Sequence, residues 1–97
     1  MVIITNSTYP LQSFKEVVKR FKELSPLPEY ITEIGPYTRF VKGLGREVIH
    51  IFEFDESKYA EAIEYLSKRV ITFSEVPGFS CSMQPWTEAK ESVKWFD

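Results

Sequence analysis

His50 is the single histidine of the chain, set mid-way along Val48-Ile49-His50-Ile51-Phe52-Glu53-Phe54. Imidazole is the side chain most easily tuned near neutral pH, so it can act there as a general base or as the polar anchor of an apolar cavity. The plain alternative is a core histidine satisfied by one hydrogen bond, and no second catalytic group is fixed by the sequence to outweigh it. Asn6 is another candidate anchor, in phase with Val2, Ile4 and Thr8. An Asn near a strand end also serves as a turn or helix-entry cap. Tyr30, Glu33, Tyr37 and Arg39 fall on one segment and can line the mouth of a cavity, with Arg39 suited to a carboxylate. A solvated edge strand accounts for the same residues. The candidate ligand contacts are therefore Asn6, Tyr37, Arg39, His50, Phe52 and Phe54, and His50 is the candidate catalytic residue.

Other chemistry finds little footing. Cys81 has no basic neighbour in sequence to lower its pKa, so it reads as a small buried hydrophobe. One His, one Cys and scattered carboxylates offer no metal-ligand spacing, and no cofactor is implied. Gly43-Leu44-Gly45 reads as a hairpin turn and does not open a helix, so it is no phosphate loop. The net charge of −2 without a one-sided block argues against nucleic acid as a partner. No apolar run approaches the roughly 20 residues that span a bilayer, and the start Met-Val-Ile-Ile-Thr-Asn has no basic region of a secretory signal. With one cysteine, this points to a cytoplasmic protein.

The elements that must position these residues follow from periodicity. Val2 to Thr8 is a β-branched strand run ended by Pro10. Leu11, Phe14, Val17, Val18, Phe21 and Leu24 form a helical stripe that Ser25-Pro26-Leu27-Pro28 stops. Tyr30 to Lys42 reads as a strand, placed at the sheet edge because Gly35-Pro36 interrupts it. Gly43 to Gly45 turns the chain into the strand Arg46 to Phe54, apolar on both faces and so covered on both. Asp55 or Ser57 caps a second helix with the stripe Tyr59, Ile63, Leu66, Val70 and Phe73. Val76-Pro77-Gly78 ends it. Phe79 to Gln84 is the fourth strand, after which Pro85-Trp86-Thr87 breaks out and Thr87 caps a short helix bearing Ala89, Val93 and Phe96.

The order β-α-β-β-α-β over 97 residues, the two helix stripes, the Gly43–Gly45 hairpin and the entry Val76-Pro77-Gly78-Phe79 resemble the ferredoxin-like fold. Within it they resemble the dimeric α+β barrel group that includes antibiotic-biosynthesis monooxygenase-like and stress-responsive barrel proteins. The resemblance implies one α+β domain, a four-stranded antiparallel sheet with helices on one face, and a homodimer in which two sheets pack face to face. Asn6 matches an Asn early in the first strand of haem-degrading members. Those members also carry a Trp and a His on helical segments, and the second helix here has neither, so haem degradation is not implied. An RNA-recognition module shares the strand order, but its third strand needs exposed aromatics where Arg46-Glu47-Val48-Ile49 stands.

The leading expectation is a homodimeric barrel that binds an apolar or aromatic metabolite between helices and sheet. A cofactor-independent monooxygenase or isomerase with His50 as base is the enzymatic alternative. A structural or regulatory effector-binding module is the third. Trp86, Trp95 and Phe96 are expected to brace the dimer, and Phe14, Val18, Phe21, Ile63, Leu66 and Val70 to pack on the sheet.

Overall fold

The β-branched N-terminal run forms β1 (Val2–Tyr9), whose odd residues Ile3, Thr5, Ser7 and Tyr9 are buried. This is a computed structural model, and it describes residues 1–96. After a 3-10 turn at Leu11–Ser13, the chain continues as α1 (Phe14–Lys22), then β2 (Thr32–Val41) and β3 (Gly45–Glu53). A second 3-10 turn at Glu56–Lys58 leads into α2 (Tyr59–Ile71), β4 (Ser80–Trp86) and the short α3 (Ala89–Val93). The architecture is α+β: one antiparallel sheet of four strands in the order β2-β3-β1-β4. It is consistent with a ferredoxin-like layout.

Both outer strands carry the proline expected of an edge. In β2 it is Pro36, at a register shift between Ile34 and Tyr37. In β4 it is Pro85, which pairs with Ile3 inside the strand. The strand therefore runs two residues past Gln84, because an edge position tolerates the missing N–H. The cap of the second helical segment is Asp55, whose Oδ1 accepts from the Ser57 N–H at 2.9 Å. Thr87 does not cap the last helix: its N-cap residue is Glu88, without a side-chain cap.

The core gathers Ile3, Ile31, Phe52, Phe54, Ala62 and Leu66. It draws α2 closely onto the sheet through Ala62 and Leu66, whereas α1 contributes no buried residue. Phe14 and Phe21 of α1, expected in the core, are 36% and 42% exposed. One end of α1 is nevertheless fixed. Ser13 Oγ donates to the Pro77 carbonyl at 2.6 Å, and Gly78, at φ +76°, lies so close to Pro10 that an added Cβ would meet its ring at 2.6 Å. The turn Val76-Pro77-Gly78 thus clamps the entrance of α1 while its middle stands off the sheet. That gap is where the candidate site lies.

No helix among the described residues is long and apolar enough to cross a membrane.

Candidate functional site

The strand pairing decides which residues meet. Across the sheet, His50 pairs with Thr5, Phe52 with Ile3, and Val48 with Ser7 and Thr38, so these side chains share the face covered by helices. Here a cavity of about 360 Å³ opens between the sheet and the two long helices. Its floor is Thr5, Ser7, Val48, His50 and Phe52; its roof includes Val17, Val18 and Phe21 from α1 and Leu66 and Val70 from α2. The volume falls in the range of about 300–1,000 Å³ typical of small-molecule sites.

His50 is the polar centre of the floor. Its Nδ1 stands 3.3 Å from Glu33 Oε1, and both side chains are mostly buried. The ring stacks on Phe52 at 5.5 Å between centroids and faces Phe21 at 6.3 Å. Burial is the larger influence and pushes the imidazole pKa below its ordinary value, with the Glu33 charge and hydrogen bond opposing and Arg69 assisting. A neutral ring with Nδ1–H donated to Glu33 leaves the Nε2 lone pair free, which is the arrangement of an oriented base.

Not all of the expected contacts join it. Asn6 pairs with Ile49 and Ser82 and therefore lies on the opposite sheet face from His50. Tyr37 pairs with Ile49 and Arg39 with Glu47, so both lie on that open face too. The shift at Gly35-Pro36 is the cause: it reverses the alternation of β2, so Glu33 reaches the helix side while Tyr37 and Arg39 point away. Arg39 is held there by an ion pair with Glu47. Phe54 is buried in the core, its ring 6.4 Å from Tyr59, and is not part of the cavity wall. Of the six expected ligand contacts, His50 and Phe52 line the cavity.

Two groups at the cavity were not singled out from sequence. Tyr9 and Arg46 close its far end. Burial raises the Tyr9 phenol pKa, with the adjacent Arg46 charge and its hydrogen bond partly offsetting that. Arg46 was legible in principle, since it is in phase with Val48, His50 and Phe52. Cys81 lies half-buried beside Ser7 on β4, and burial pushes its thiol pKa up, so it is a poor nucleophile. No group of three or more His, Cys, Asp or Glu side chains among the described residues is placed to hold a metal.

No protein-family model matches the chain. No curated protein matches it. Among solved structures it is similar to the crystal structure of a DUF3240 family protein from Shewanella baltica OS155. That similarity covers 90% of this chain and 91% of that one, at 12% identity and a TM-score of 0.38. So distant a likeness carries no functional inference.

Proposed function

We propose that the chain is a ferredoxin-like barrel protein that pairs as a homodimer and binds an apolar or aromatic small molecule between sheet and helices. The observation that carries this reading is the cavity itself: about 360 Å³, walled mainly by Val17, Val18, Phe21, Val48, Phe52 and Leu66, with His50 in its floor and Glu33 on the His50 ring from outside the cavity wall. Apolar walls with a few convergent polar groups are the usual makeup of a ligand pocket. Fluorescence titration with an uncharged naphthyl probe tests it. A saturable signal in the wild type, lost when Val48→Trp fills the space, is the expected result; a signal unchanged by Val48→Trp refutes it.

The dimer rests on the other sheet face. Val2, Ile4, Ile49 and Ile51 are only partly buried there, and Ile34, Tyr37 and Trp86 are exposed. A one-layer helix cover leaves that face to water. The radius of gyration of 15.0 Å exceeds the about 12.5 Å expected for a compact chain of this length, as suits half of a larger assembly. An isologous pairing, sheet against sheet, is the commonest way a second copy covers such a face. Trp86 and Trp95 are exposed and available to brace it; the Phe96 side chain lies outside the described residues.

A second reading is favoured by one contact, the Glu33 carboxylate on His50 Nδ1. An imidazole oriented in this way can take a proton from a bound substrate through Nε2, as a cofactor-independent monooxygenase or isomerase requires. Here His50→Ala removes turnover while His50→Gln keeps the fold and ligand binding. Full turnover in His50→Ala refutes it.

A further inference from the structure

The cavity wall is electrically one-sided. Lys22, Arg46 and Arg69 reach it, and no Asp or Glu side chain is among its lining residues. Two of these cations are accounted for: Lys22 is exposed at the rim, and Arg69 donates to the Ser25 carbonyl at 3.3 Å while lying over Phe21.

Arg46 is different. Its guanidinium sits 4.8 Å from the Phe14 ring centroid and 5.9 Å from that of Phe40. Its Nε is buried without a hydrogen-bond partner among the described residues. No carboxylate there lies within ion-pair distance of it, although ion pairs form elsewhere on the chain, Arg20 to Glu16 and Arg39 to Glu47 among them. Flanking rings hold a planar guanidinium in place without using its N–H donors. The Tyr9 phenol hydrogen-bonds the guanidinium without neutralising its charge, and a planar oxyanion is the partner the rest of its fork fits best.

We infer that the ligand of this cavity, on the binding function proposed above, is an apolar body bearing one carboxylate. The carboxylate pairs with Arg46, and the body lies against Val18, Phe21, Val48 and Leu66. Arg46 and His50 are four residues apart on one face of β3, about 13 Å along the strand. A bicyclic aromatic or medium alkyl body anchored at Arg46 therefore extends toward the His50 ring.

The test is calorimetric titration of 2-naphthoate and decanoate, each against its neutral amide, with thermal melts of every variant. The wild type is expected to bind at least one acid tenfold or more tightly than its amide. Arg46→Gln should abolish that preference and leave amide binding within about twofold, while Arg46→Lys keeps part of it. Equal affinity of acids and amides in the wild type overturns the carboxylate inference and leaves the cavity function standing. Persistence of the preference in Arg46→Gln overturns the assignment to Arg46. Failure of acids and amides alike to bind overturns both readings.

Discussion

Truncating Leu66 probes the one helix that is docked tightly and the cavity it roofs. Leu66 is 1% exposed and packs in the core with Ile3, Phe52 and Ala62. Leu66→Ala removes three carbons, about 2.4 kcal/mol at ~0.8 kcal/mol per buried methylene. Leu66 also lines the existing cavity, so the vacated space adds to a void that cannot collapse. The loss should then lie within the ~2–5 kcal/mol of buried Leu→Ala changes, near 3 kcal/mol. For a domain of this size that lowers the Tm by roughly 12–24 °C, at ~4–8 °C per kcal/mol. Phe21→Ala makes the contrast: with Phe21 42% exposed, its truncation should cost clearly less than the full ~3–5 kcal/mol of a buried Phe. Urea melts followed by circular dichroism, at one fixed protein concentration so that any association between copies contributes equally, give both values. A loss at Leu66 below about 1 kcal/mol means that α2 is not docked as described. A loss at Phe21 equal to that at Leu66 refutes the claim that α1 stands off the sheet.

Two further outcomes follow from the site and the open face. His50 should titrate below its ordinary value of 6.5, because burial outweighs Glu33, and Glu33→Gln should lower it further; an NMR titration placing it above 6.5 shows that Glu33 dominates. Since the lowered pKa favours the neutral ring in the folded state, the contribution of His50 to stability is full above about pH 6.5 and is lost as pH falls through the folded pKa. The stability difference between wild type and His50→Gln should change in that window and nowhere above it. On the open face, Ile49→Lys should give a monomer by sedimentation at micromolar concentration with the cavity intact; a wild-type monomer sinks the dimer.

Much of the scaffold was legible because its signals are local. The stripes of both long helices, the alternation from Val48 to Phe54, the Gly43–Gly45 hairpin and the edge position of β2 all follow from spacing and from where proline and glycine are tolerated. The site was only half legible because facing is not local. Which phase of β1 meets His50 depends on registration with β3, and that registration puts Thr5, not Asn6, opposite the ring. Tyr37 and Arg39 were grouped with Glu33 because they share one strand segment, and the shift after Ile34 turns them to the opposite face. Phe54 shares the His50 phase but lies just past the end of β3, where it enters the core near Tyr59. Arg46 went unmarked because a charge at a strand end resembles a solvated one until Phe14 and Phe40 are seen against it.

The most direct test of the account is backbone amide mapping by NMR of the isotope-labelled protein titrated with 2-naphthamide. Shift changes should gather on Thr5, Val18, Val48, His50 and Leu66, on the helix side of the sheet. Changes gathered instead on Ile4, Asn6, Ile49 and Ile51, or none at all, contradict it.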